Sequence, residues 1–342
     1  MDVGRPCADG PGVDAVPPTV SPSASPPPDA AGARLRGVLA PVLTPFARDL
    51  SPSVPRLLRH CRWLLARGVG LAVFGTNSEA NSLGLDEKCR LLDQLAEHGV
   101  PMDRLMPGTG ACALPEAIAL TRHAVQAGCA GVLMLPPFYY KGVSEEGLYR
   151  SFSTVIDAVA DPRLRLYLYH IPAVSQVPVT HGLIERLLRA WPLSVAGIKD
   201  SSGDWSHTRG LLERFQPQGF DVFAGTEALL LPTLRAGGAG CITATGNVNP
   251  EAIMRLCREW HQPDADAQQE ALNRTRGTFQ ELPMIAAMKE AVAWQSGDAA
   301  WARLRPPLTE LTQVQRQQLR EALTRQGFRI PEAHALAAEG AP

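Results

Sequence analysis

Short apolar runs alternate with stretches of helical period eight times over about 225 residues, and this pattern most restricts the fold. The runs lie at 38–43, 71–74, 105–108, 131–135, 164–169, 195–198, 220–223 and 240–243. Helical candidates fall between them near 54–66, 86–97, 115–127, 145–159, 181–189, 205–214, 226–236 and 250–260. Continuous apolar strands of this length suit a parallel sheet covered on both faces. Eight repeats with no second break in composition predict an α/β fold, a (β/α)8 TIM barrel, whose usual size is about 250 residues. A doubly wound sheet is the competing arrangement, but no GxGxxG follows the first strand. Gly108-Thr109-Gly110 comes after the third and lacks the third glycine.

Residues 1–34 contain eight prolines among Ser, Gly and Ala, so they are expected to be a disordered tail. Residues 35–261 are assigned to the barrel and 262–328 to a C-terminal helical appendage with helices near 264–279, 283–295 and 311–325. Residues 329–342 are expected to be a flexible tail.

The chain has 33 basic and 34 acidic residues and a formal net charge of −1, which argues against nucleic acid or a polybasic membrane contact. It has no apolar run of about 18 residues and no secretory leader pattern. Seven scattered cysteines with no CxxC pair read as reduced thiols of a cytoplasmic protein.

Only four of the 33 basic residues are lysines, Lys88, Lys141, Lys199 and Lys289. A titratable amine is something Arg cannot supply. Lys199 closes the run Val195-Ala196-Gly197-Ile198, so it leaves an apolar strand toward the barrel mouth, where the chemistry of this fold sits. A desolvated amine is nucleophilic enough to form a Schiff base with a carbonyl. The alternative is a structural lysine paired with an acid such as Glu227. Lys88 and Lys289 are expected on helices among charges and solvated, and Lys141 in a rim loop. Tyr169, one strand before Lys199, can carry protons or merely fill a barrel layer. The turn at 75–78 can hold an anion on backbone N–H groups or simply cap a helix.

With these residues in place, the sequence resembles the dihydrodipicolinate synthase / N-acetylneuraminate lyase family of pyruvate-dependent class I lyases. The matching motifs are Ala40-x3-Thr44-Pro45-Phe46, Gly75-Thr76-Asn77-Ser78-Glu79, Tyr169-His170-Ile171-Pro172, Gly197-Ile198-Lys199 and the glycine-rich 237–242. The resemblance implies that Lys199 forms the imine with a 2-oxo acid and that Tyr169 shuttles protons. It implies that Thr76 and Asn77 bind the carboxylate, with Thr76 linking Tyr169 to Tyr139 from a neighbouring subunit. Ile242 would meet the keto acid through its backbone. A homo-oligomer (dimer or tetramer) is implied, with a small-molecule 2-oxo acid as substrate and no cofactor or metal.

In the lysine-pathway synthases an Arg two residues after Y-N-V-P binds the partner aldehyde's carboxylate; here that position is Val174. The sugar clamp of the neuraminate lyases reads Gly225-Thr226-Glu227-Ala228, and their strand-8 serine is Ala244. The substrate's far half is expected to meet Val174, Gln176, His170, Glu227 and Lys141, a set suited to a 2-keto-3-deoxy acid that is cleaved or dehydrated. The alternatives are authentic 4-hydroxy-tetrahydrodipicolinate synthesis, a metal-dependent aldolase, for which His170 is the one histidine at a strand end, and a catalytically silent barrel acting as a binding module.

Overall fold

The computed structural model describes residues 34–338, so the expected tail lies outside them except for Arg34. That residue is held in place, its guanidinium donating to the Ala196 carbonyl at 3.3 Å and standing 3.5 Å from the Asp221 carboxylate. The described residues form one compact unit.

Seven parallel strands form one sheet: β1 (Gly37–Ala40), β2 (Gly70–Leu71), β3 (Val132–Met134), β4 (Leu166–His170), β5 (Val195–Asp200), β6 (Asp221–Ala224) and β7 (Gly240–Ile242). Their order is β2-β1-β7-β6-β5-β4-β3. The segment 105–108 bridges the two outer strands. Met106 and Gly108 donate to Leu71 and Val73 at 2.8 and 2.7 Å, while Leu133 and Ala130 donate to Pro107 and Leu105 at 2.8 and 3.0 Å. The ring of eight expected from the sequence therefore closes. The eighth member is held by isolated bridges because Pro107 has no N–H for the ladder toward β3. Gly108 permits the close approach on the other side, since a Cβ there would lie 2.1 Å from the Phe74 carbonyl oxygen.

Helices follow the strands where the periodicity places them, at Val54–Ala66, Leu85–Glu97, Leu114–Gln126, Glu145–Val159, His181–Ala190, Trp205–Phe215 and Pro250–Glu259. Three start on side-chain caps: Ser144, Thr180 and Asp204 accept from Gly147, Leu183 and Ser206. Between Glu227 and Arg235 the expected single helix is a 3-10 turn, Glu227–Leu229, followed by Leu230–Arg235.

Period-2 alternation divides the apolar residues into two cores. Leu39, Ala72, Met106, Leu133, Tyr167, Tyr169, Phe223 and Ile242 fill the interior of the ring. Their strand neighbours, such as Val38, Leu71, Leu105, Leu168, Ile198 and Val222, pack outward against the helices.

Helices Ala265–Gln280, Met284–Ser296 and Gln313–Arg325 pack on one another, and the first also covers the turn Glu227–Leu229. Part of the stretch expected to be a flexible tail packs against the rest of the chain. Leu336 is fully buried, and its carbonyl accepts from the Trp301 indole at 3.0 Å. Among the described residues no helix is long and apolar enough to cross a membrane.

Candidate active site

Parallel register sets Tyr169 of β4 beside Lys199 of β5, so both side chains enter the ring at the carboxyl ends of the strands. Each is 2% exposed. The Lys199 ammonium donates to the Tyr169 hydroxyl at 3.2 Å and stands 4.2 Å from the centre of its ring. That hydroxyl is also 3.2 Å from Thr76 Oγ1. An amine, a phenol and a hydroxyl thus form a continuous hydrogen-bonded chain in a nearly dry position. A cleft beside it is lined by Phe74, Gly75, Gly108, Leu133 and Leu135.

Thr76 opens the 3-10 turn Thr76–Ser78. Ser78 braces the turn from both ends: its hydroxyl accepts from Gly75 N–H at 3.1 Å, and its carbonyl accepts from the Thr44 hydroxyl at 2.6 Å. At such a helix start the N–H groups of Thr76 and Asn77 have no partner within the turn. Ile242 lies wholly inside the ring, paired with Leu39 of β1.

The residues expected at the far half of the site have partners or positions of their own in this chain. Glu227 is buried and does not pair with Lys199. Its carboxylate accepts from Thr243, Thr245 and, at 2.7 Å, the Arg276 guanidinium, so it is engaged by the protein itself. A buried pair of this kind is stable only while both partners remain. His170 faces away from the ring because it neighbours Tyr169 on the same strand. Lys141 donates to the carbonyls of Phe138 and, at 2.7 Å, Ser175, tying two loops together. Val174, in the short helix Pro172–Ser175, is 60% exposed. Tyr139 is 74% exposed, with its ring edge-on to Tyr140. No hydrogen bond joins it to Thr76 among the described residues of one chain.

Behind Lys199, His170, Asp200 and His207 form a cluster whose composition would suit a metal. The two imidazoles are stacked, 4.6 Å apart and 20° from parallel. Their in-plane lone pairs therefore do not converge on one point. His170 Nδ1 accepts from the Val179 N–H at 3.0 Å, and His207 Nδ1 lies 3.1 Å from the Asp200 carboxylate. The Asp200 hydrogen bond raises the pKa of His207. Burial opposes ionisation of Asp200, but bonds from His207, Thr208 and Ser202 outweigh it and lower its pKa. The cluster is a hydrogen-bonded support for the outer face of β5.

Lys289 is also corrected. It is fully buried, and burial lowers its pKa to about 8 against the opposing effect of Glu79. The overlooked signal is the apolar surroundings Met284-Ile285-Ala286-Ala287-Met288 and Ala291-Val292-Ala293, which mark a helix buried all round. Nearby, Arg305 grips Glu87 with both Nη atoms and donates to the Ser82 carbonyl at 2.6 Å. Its hydrogen bond lowers the Glu87 pKa from 4.5 to about 2. A carboxylate lowered in the folded state contributes stability that is complete above the unfolded value and lost as pH falls through the folded one. The urea midpoint of the protein should therefore exceed that of Glu87→Gln above pH 4.5, with the gap closing as pH approaches about 2. A gap that does not change with pH would show that this pair contributes no such linkage.

Residues 34–326 match the sequence model of the Dihydrodipicolinate synthetase family. The chain belongs to this family. Similar proteins include an uncharacterized DapA-like lyase of Chloroflexus aurantiacus, 35% identical over 85% of this chain and 96% of that one. A 4-hydroxy-tetrahydrodipicolinate synthase of Neisseria meningitidis is 31% identical over 86% of this chain and 99% of that one. Among solved structures, dihydrodipicolinate synthase from Agrobacterium tumefaciens superposes with a TM-score of 0.78 at 28% identity, covering 85% of this chain and 99% of its own. YagE of E. coli K12, a family member solved in complex with pyruvate, gives 0.78 at 29% identity, covering 87% and 100%. Membership in the dihydrodipicolinate synthetase family accounts for the barrel; the reaction has to be argued from the residues in its mouth.

Proposed function

We propose that this chain is a class I lyase that forms a Schiff base between Lys199 and pyruvate or a 2-keto-3-deoxy acid. The observation that carries this reading is the buried Lys199–Tyr169–Thr76 chain, with both links at 3.2 Å. The amine attacks C2 of the oxo acid, and the carbonyl oxygen leaves as water after taking two protons that Tyr169 relays. The imine then accepts the electron pair of the breaking C3–C4 bond while Tyr169 takes the proton of the C4 hydroxyl, releasing an aldehyde. The resulting enamine regains a proton at C3, and water frees pyruvate. Dehydration uses the same amine and phenol: the C3–H bond breaks to give the enamine, the phenol carries that proton to the C4 hydroxyl, and the enamine pair expels it as water. In this reading the N–H groups of Thr76 and Asn77 take the substrate carboxylate and Ile242 borders it. No cofactor is needed, because the imine itself is the electron sink.

Relatives named as synthases supply the competing reading, 4-hydroxy-tetrahydrodipicolinate synthesis. The apolar, outward Val174 disfavours it, because it offers no clamp for a second carboxylate. In this reading the exposed Tyr139 meets Thr76 of a second copy of the chain, in a dimer or tetramer.

Borohydride reduction in the presence of pyruvate, followed by intact mass and peptide mapping, tests the proposal. The expected result is one pyruvyl adduct on Lys199, which keto-deoxy sugar acids compete for. Folded protein that yields no adduct with pyruvate or any other 2-oxo acid would overturn it and leave the binding-module reading.

A further inference from the structure

The end of the chain reaches back to the turn that carries Thr76. The Lys289 ammonium donates to Glu79 Oε1 and, at 2.7 Å, to the Arg303 carbonyl. The other Glu79 oxygen accepts from the Arg305 N–H at 3.1 Å. Lys289 and Arg305 also lie against the Phe46 ring, 4.5 and 4.9 Å from its centre. Phe46 ends the segment whose Thr44 hydroxyl holds the Ser78 carbonyl.

Glu79 has φ +57°, a left-handed backbone that a residue with a side chain keeps only where its surroundings enforce it. It directly follows Thr76–Ser78. Among the described residues, neither Lys289 nor Glu79 is hydrogen-bonded to Lys199 or Tyr169. Their buried pair is therefore connected to the site through this turn and through the Phe46 segment that braces it.

We propose that Glu79 and Lys289 are positioning residues for the carboxylate of the 2-oxo acid. Held from behind by Lys289, Glu79 fixes the left-handed step that ends the turn, and the turn in turn aims the Thr76 and Asn77 N–H groups. The inference rests on the Schiff-base reading above. It predicts that loosening the pair weakens capture of the acid more than it slows the covalent step.

The experiment titrates pyruvate against borohydride-trapped adduct at Lys199 and reads half-saturation and the trapping rate at saturation separately. Lys289→Met alone would strand a buried carboxylate and can fail to fold. The paired variant Glu79→Gln/Lys289→Met, which carries neither charge, is therefore used beside Glu79→Gln, which keeps an acceptor. Half-saturation should rise about threefold in Glu79→Gln and at least about tenfold in the paired variant, with the saturated rate within about threefold of the parent. An unchanged half-saturation in either folded variant, or a loss confined to the saturated rate, overturns the positioning role. Absence of adduct in the unaltered protein instead defeats the Schiff-base reading, and this inference falls with it.

Discussion

Lys199→Ala is expected to give no borohydride-trapped adduct and to lower turnover of a 2-oxo acid substrate by at least about 10⁴-fold, because the amine that forms the covalent bond in the proposed reaction is gone. No other lysine is placed to replace it. Lys289 is locked against Glu79, and Lys141 holds two loop carbonyls. The variant should stay folded, since the Tyr169 hydroxyl still has Thr76 as a partner. A thermal melt shows whether it does. Residual turnover above about 1% in folded Lys199→Ala would mean that the amine is not the nucleophile, since covalent catalysis cannot survive loss of its attacking group.

Tyr169→Phe should separate chemistry from capture. The ring remains in the barrel interior and only the phenol is lost, so the packing around Leu133, Tyr167 and Phe223 is kept. Losing a proton carrier typically lowers turnover by about 10²–10⁴-fold. The adduct should still form on Lys199, at a reduced rate and with pyruvate half-saturation nearly unchanged, because Thr76 and Asn77 retain their N–H groups. Single-turnover trapping measures both quantities. A full trapping rate in Tyr169→Phe would reduce the residue to a filler of the barrel layer.

The barrel and the meeting of Tyr169 with Lys199 were legible in the sequence for one reason: both depend on local pattern. Apolar runs with period 2 and helices with period 3.6 report which face is buried. A lysine or tyrosine at the end of such a run inherits its direction. The same logic explains the failures. His170 adjoins Tyr169, and a shift of one residue along a strand turns a side chain to the opposite face. Glu227 occupies the expected strand end, yet its partner Arg276 comes from a helix 49 residues further on, a pairing that no local spacing encodes. Pro107 carried its own warning, because a ring strand containing proline must lose a ladder bond. Lys289 is expected among charges on a solvated helix face, although the apolar sequence on both sides marks the helix as interior.

The contact between Glu79 and the end of the chain also affects the order of assembly during synthesis. Glu79 meets Lys289 and Arg305 across 210 and 226 residues. At about 5–20 residues per second a ribosome needs roughly 11–45 s to produce that interval. For most of it, the turn bearing Thr76 has left the ribosome while the lysine that pairs with Glu79 has not yet been made. The nascent chain therefore carries Glu79 without its partner, and the turn bearing Thr76 gains this brace only once the C-terminal helices have been made.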